Sequence, residues 1–242
     1  MFKRLNNFII DWLFPEECVI CGASGRWLCN DCLENIEFSP INSCPFCHKF
    51  SFLGLTCEKC KKEKCLDGIF CHSSYKNLIV KKIIHHYKYN YLLDLKFILA
   101  DMIANVLSNI KKGQEIGAIS KILTEKTLFF PVPLHKMRIR YRGFNQSELL
   151  LEELAKQKII LPQAISLKLQ RICYTTPQVK LKAKERIKNL KKAFAYKGKS
   201  LKNRNIILID DVATTCSTLN ECAQILKQHG ARKVYGIVIA KG

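Results

Sequence analysis

The thirteen residues from Ile206 to Thr218 constrain this chain more than any others. Ile206-Ile207-Leu208-Ile209 is an unbroken aliphatic run, which reads as a strand buried on both faces, as in a parallel sheet. Two carboxylates, Asp210 and Asp211, close it at the end where open α/β sheets place their ligands. Val212, Ala213, Thr214, Thr215, Cys216, Ser217 and Thr218 then lead into Leu219, Ala223, Ile225 and Leu226, an apolar pattern with helical spacing. Backbone amides and hydroxyls at a helix N-terminus suit a phosphate, and paired carboxylates suit vicinal hydroxyls such as those of a ribose. Together these parts describe a cradle for a ribose 5-phosphate.

Thirteen cysteines in 242 residues could signal a disulfide scaffold, but their spacing points to metal. Eight form four CxxC pairs: Cys18 with Cys21, Cys29 with Cys32, Cys44 with Cys47, and Cys57 with Cys60. Two such turns complete one tetrahedral four-thiolate site, so the pairs imply two structural zinc ions. A segment this short cannot bury enough apolar surface to fold unaided, whereas zinc supplies on the order of 10–16 kcal/mol in finger peptides. Sequential pairing joins the first two pairs and the last two; a crossed arrangement stays open, because the gap from Cys21 to Cys29 is short for a ribbon hairpin. Cys65 and Cys71 lack a partner at ligand spacing and are expected to be structural.

The formal net charge of +20 implies a polyanionic partner. Between Lys168 and Arg204 stand thirteen Lys/Arg and one acid, Glu185. Lysines tracking a backbone, with Tyr174, Phe194 and Tyr196 available for stacking, follow the usual recipe for single-stranded nucleic acid. The DNA-binding residues expected here are Lys180, Lys182, Lys184, Arg186, Lys188, Lys191 and Lys192. At the N-terminus, Phe2, Leu5, Phe8, Ile9, Trp12 and Leu13 recur at helical spacing, but polar residues interrupt them. A short amphipathic helix ending before Pro15 is expected, with neither a secretory signal nor a transmembrane span. A reducing, cytoplasmic location fits the unpaired thiols, and peripheral contact with the inner membrane stays open.

The remaining chain alternates strands and helices. Strands are expected at Ile69–Tyr75, Thr127–Val132, Ala164–Ile172 and Val234–Ala240. Helices are expected at Leu78–Tyr87, capped by Asn77, at Leu92–Ile110, stopped by Gly113, and at Ser147–Lys158. The fold class is therefore α/β, a doubly wound parallel sheet preceded by a small zinc-binding module. Residues 1–64 would carry the N-terminal helix and the module, and residues 65–242 the α/β domain. After the second strand, Leu134–Gly143 reads as a basic loop in which Lys136, Arg140 and Arg142 suit a pyrophosphate.

The stretch 206–218 resembles the phosphoribosyl-pyrophosphate (PRPP) motif of type I phosphoribosyltransferases: four hydrophobics, two acids, then a Thr-rich loop. That resemblance implies ribose on Asp210 and Asp211, the 5′-phosphate on the loop to Thr218, and Mg²⁺ with the pyrophosphate. That family usually has glycine where this chain has Cys216, so Cys216 is expected to narrow the loop. The order of four CxxC pairs, Pro131-Val132-Pro133 with Arg142-Gly143-Phe144-Asn145-Gln146, Thr176-Pro177-Gln178 with Arg186, Asn189, Ala193 and Phe194, and then the PRPP motif resembles the ComF family of late competence proteins. The likeness spans roughly Phe14 to the C-terminus. It implies PRPP binding and a part in natural transformation, alongside other competence or DNA-uptake proteins, and it places Thr175–Arg204 where related enzymes have a mobile lid. It names no acceptor, so catalysis stays open. A metabolic phosphoribosyltransferase of nucleobase or amine salvage is the alternative.

Overall fold

The computed structural model describes residues 16–115, 121–173 and 193–242. The expected N-terminal helix, Tyr174 and all seven residues assigned to DNA lie outside the described residues.

The cysteine region is built twice on one plan. Antiparallel bridges join Glu17 to Ser24 and Ser43 to Phe50. In each half the second CxxC pair opens a single helical turn, α1 (Asn30–Glu34) from Cys29 and α2 (Glu58–Lys61) from Cys57. Beyond it come β1 (Gly68–Ser74), α3 (Leu78–Tyr89), α4 (Leu95–Glu115), β2 (Leu128–Pro131), α5 (Lys136–Arg142) and α6 (Gln146–Lys156). The chain closes with β3 (Leu169–Arg171), β4 (Phe194–Tyr196), β5 (Asn205–Ala213), α7 (Ser217–Gln228) and β6 (Lys233–Lys241).

Four strands form a wholly parallel sheet in the order β1-β6-β5-β2. Alternation along β5 shows why its aliphatic run is unbroken. Ile207 and Ile209 enter one core with residues of α3, α4 and α6. Ile206 and Leu208 enter the other, with Leu219, Ala223 and Leu226 of α7. Both faces of the sheet are thus covered, as expected for a doubly wound α/β domain. Proline at β2 is tolerated because β2 is an edge strand.

Three expectations change. Helix α4 runs through Gly113 to Glu115, and Gly113 is buried. Packing of Val106 and Ile110 into the core outweighs the cost of one glycine, about 1 kcal/mol. Within Ala164–Ile172, the Pro162–Ala164 turn is 3-10, and only Leu169–Arg171 is strand. It pairs antiparallel with β4 outside the main sheet. The basic stretch after β2 is helical: His135 Nδ1 accepts from the Met137 amide at 3.2 Å, and Gly143, at φ 82°, ends α5 in the left-handed region.

At the other edge of the sheet, the cysteine region covers β1. The Ser39 amide donates to the His72 carbonyl at 2.7 Å, the Thr56 amide donates to Asp67, and Leu55 bridges Gly68. This protects an edge that would otherwise invite association. The approach is close enough to demand glycine at position 54. With φ at 72°, a Cβ there would stand 2.2 Å from the Ile69 carbonyl oxygen. Gly54→Ala is expected to cost ~2–5 kcal/mol, adding left-handed strain to a backbone clash, and denaturant unfolding measures it. A variant within about 0.5 kcal/mol of wild type would show that the contact yields freely.

Candidate functional site

Each four-cysteine cluster has the geometry of a closed zinc site. The sulfurs of Cys18, Cys21, Cys29 and Cys32 lie within 4.8 Å of one another, as do those of Cys44, Cys47, Cys57 and Cys60. Cys21 and Cys29 are 3.6 Å apart and Cys47 and Cys57 3.7 Å, against the ~3.8 Å that a tetrahedral ion with 2.3 Å bonds requires. Pairing is therefore sequential. Burial opposes ionisation of Cys18, but the amides of Cys21, Cys29 and Ile20 outweigh it and bring the thiol down to about 6. Cys44 repeats this: against burial, the amides of Cys47, Cys57 and Phe46 bring it to about 6. Four sulfurs and turn amides fit structural zinc, and no fourth position is left for chemistry. All thirteen cysteines are free of disulfides, and Cys71 is buried in the core.

A second centre lies at the C-terminal end of β5. Asp211 is buried, and its carboxylate pairs with the Lys88 ammonium at the end of α3. Its other oxygen accepts from the Val212 amide at 2.9 Å. The Asp210 carboxylate accepts from Ser147 Oγ at 3.2 Å and from the Asp211 amide at 2.9 Å. Burial pushes Asp210 up to about 6, against the pull of Lys88, Ser147, Arg142 and Arg171. Burial likewise brings Lys88 down to about 8, opposed by Asp210 and assisted by Arg142 and Arg138. Burial raises Glu221, on α7, to about 7 against the attraction of Arg171. Three groups drawn toward neutrality around one crevice make it the candidate site.

The loop after β5 completes the crevice. Thr214, Thr215 and Ser217 are exposed and Thr218 is half-buried. Thr215 Oγ1 and Ser217 Oγ are 2.8 Å apart, and the Thr214 carbonyl accepts from Lys241 Nζ at 2.5 Å. Cys216, the N-cap of α7, has φ 57° and makes no side-chain cap, which leaves the first amides of α7 facing the loop. Its backbone takes the left-handed conformation that glycine favours, while its side chain, 3% exposed, joins the core. The thiol therefore does not narrow the loop in the way its replacement of glycine suggested.

Arg142-Gly143-Phe144-Asn145-Gln146 becomes legible residue by residue. Gly143 turns the chain between α5 and α6, and Phe144 packs against Tyr87 with ring centres 5.7 Å apart. Asn145 Oδ1 caps Ser147, while its Nδ2 donates to the Val132 carbonyl at 3.2 Å, tying α6 to the end of β2. Gln146 Oε1 accepts from Arg142 at 2.6 Å. The motif thus presents Ser147 and Arg142 to Asp210. Helical spacing puts Arg138 on the same side as Arg142, whereas Lys136 and Arg140 fall on the other side and are exposed. Lys88, Ser147, Arg138, Arg171 and Glu221 were not anticipated. They come from five separate elements or loops, so only spacing after folding joins them. Phe194 is buried against Arg171, with 5.4 Å from guanidinium to ring centre, and is removed as a stacking residue.

No protein-family model matches the chain. Competence protein F of Haemophilus influenzae is 28% identical over 229 residues, covering 91% of this chain and 95% of that protein. DNA utilization protein YhgH of Salmonella typhimurium is 27% identical over 226 residues, covering 91% and 94%. Competence protein ComFC of Streptococcus pneumoniae is 28% identical over 211 residues, covering 86% and 84%. The chain is therefore an α/β protein with two zinc-type cysteine clusters and homologues among competence proteins. These homologues bear out the resemblance to the ComF family drawn from its motifs. No helix among the described residues is long and apolar enough to cross a membrane.

Proposed function

We propose that this protein serves natural transformation in the cytoplasm, binding PRPP at the end of β5 and handling incoming single-stranded DNA. The observation that carries the reading is the Asp210–Asp211 pair placed opposite the uncapped N-terminus of α7. The competence and DNA-utilization names of its homologues support the cellular role. In this reading the two carboxylates accept from the ribose hydroxyls, and the amides and hydroxyls from Ala213 to Thr218 take the 5′-phosphate. Arg142 meets the pyrophosphate first, and Lys136 and Arg140 add charge from the exposed side of α5. Mg²⁺ would accompany the pyrophosphate, whose hard oxygens suit it, and would offset part of its charge near Asp210 and Asp211. Lys88, which neutralises Asp211, must yield or be shared when ribose arrives. Titration calorimetry with PRPP and Mg²⁺ tests this; no heat of binding from a folded, zinc-loaded protein would sink it.

The basic stretch Lys180–Lys192 is assigned to DNA on charge alone. Its flanks favour that role: the Ile172 amide donates to the Ala193 carbonyl at 2.8 Å, so both ends meet beside Arg171 and the carboxylate site. Each phosphate neutralised on a single strand contributes about −0.7 to the slope of log affinity against log salt, so five or six contacts imply a slope near about −4. Reversing Lys182, Lys184, Arg186 and Lys188 to Glu is expected to abolish binding while zinc content holds. Wild-type affinity in that variant would move the DNA site elsewhere.

A further inference from the structure

We propose that Tyr89, Tyr91 and Tyr141 form a stacking platform for single-stranded nucleic acid at the mouth of the carboxylate site. This rests on the reading above that the protein handles a single strand, and adds a surface distinct from the basic stretch. The three rings are 54%, 56% and 84% exposed. Exposed aromatics on neighbouring elements require a reason, and two of these, Tyr89 and Tyr91, are held in place. The Tyr91 hydroxyl donates to the Tyr141 carbonyl at 3.1 Å, and its ring meets Phe144 edge-on at 6.4 Å. Tyr91 itself has φ 58°, a conformation that turns the chain sharply between α3 and α4. The Tyr89 ring carries the Arg142 guanidinium 5.2 Å from its centre and has His85 at 5.0 Å. Tyr89 and Tyr91, restrained in this way, lose little freedom when a base stacks on them, while Tyr141 presents the most exposed ring.

Charge selects the partner. Helix α5 reads Lys-Met-Arg-Ile-Arg-Tyr-Arg, four cations without an acid, and Tyr141 stands among them. A phosphodiester backbone finds Arg142 beside the Tyr89 ring and the cations of α5 flanking Tyr141 in sequence. A duplex keeps its bases stacked internally, so the rings favour a single strand. Arg142 links the platform to the site, since it lies over Tyr89 and also acts on Asp210. A strand crossing the tyrosines would therefore pass beside bound PRPP.

Fluorescence anisotropy with two labelled strands of equal length, oligo-dT and an abasic deoxyribose-phosphate chain, tests the platform. Wild type is expected to prefer oligo-dT. Tyr89→Ala and Tyr141→Ala should each weaken oligo-dT by about 5- to 150-fold and leave the abasic strand unaffected, while Tyr89→Phe and Tyr141→Phe keep wild-type binding. The variant with Lys182, Lys184, Arg186 and Lys188 reversed should weaken both strands alike. Alanine variants that are folded, zinc-loaded and bind oligo-dT as wild type does overturn the platform while leaving the single-strand reading intact. Wild-type protein that binds neither strand overturns both.

Discussion

Replacing Cys44 with Ser is expected to lower zinc from two ions per chain to one and to unfold residues 38–64. One four-thiolate site supplies on the order of 10–16 kcal/mol, which matches or exceeds the whole stability of an ordinary domain, about 5–15 kcal/mol. Little else holds this half of the cysteine region: its helices are a single turn each, and Phe50 and Phe52 are exposed. The damage should spread, because the same residues cover β1. Without them, the His72 carbonyl and the Asp67 carbonyl lose their partners at Ser39 and Thr56, and Ile41 and Phe46 leave the core they pack against. An uncovered parallel edge is prone to association.

Elemental analysis gives the zinc count, and hydrogen exchange of the β1 amides reports the spread. Cys18→Ser should also remove one zinc, but its cluster packs against the opposite core with Leu28 and α4, so β1 protection should fall less. Two zinc ions retained in the Cys44 variant, or undiminished protection in β1, would contradict this account.

Local patterns in the chain were sufficient where structure is local. The aliphatic run of β5, the cap at Asn77 and the CxxC turns each follow from spacing within a few residues, and each forms as expected. Sequential pairing of the cysteine turns was open in the sequence because connection length alone did not decide it. Segments whose fate depends on a distant partner were harder. Ala164–Ile172 alternates well enough for a strand, but among the described residues it touches β2 only at the Phe129–Ile165 bridge and builds its short ladder with Phe194–Tyr196. The stretch after β2 looked like a loop because its cations hide a helical repeat, which emerges once Arg138 and Arg142 are seen to share a face. Lys88 illustrates the limit best. It lies 123 positions before Asp211, at the end of a helix whose visible apolar pattern stops at Tyr87, yet it is the counter-ion of the site. Nothing near Lys88 in the chain distinguishes it from Lys81 or Lys82.

Replacing both Asp210 and Asp211 with Asn is expected to weaken PRPP by at least about 100-fold, since each carboxylate offers charge-assisted hydrogen bonds worth about 1.5–3 kcal/mol. Asp210 alone should carry a pH signature. Its folded value, about 6, lies above the ordinary carboxylate value, so the fold favours its protonated form. That preference stabilises the protein below about pH 4 and is lost as pH rises through about 6. Asp210→Asn should therefore stabilise the protein at pH 7 by about 1–3 kcal/mol, with the difference vanishing near pH 4. Lys88 shifts the other way: its folded value near 8 means that stability present above the ordinary lysine range is lost as pH falls through 8. At neutral pH the site thus holds charges that the fold alone disfavours, an arrangement that fits a ligand able to share them. Ribose hydroxyls make the stronger, charge-assisted bonds only to the ionised carboxylate, so wild-type affinity for PRPP should rise as pH passes about 6. Taking the ratio of wild type to Asp210→Asn removes the titration of the phosphates of PRPP itself. A flat ratio between pH 5 and 8, measured on variants confirmed to be folded, would show that Asp210 does not hold the ribose.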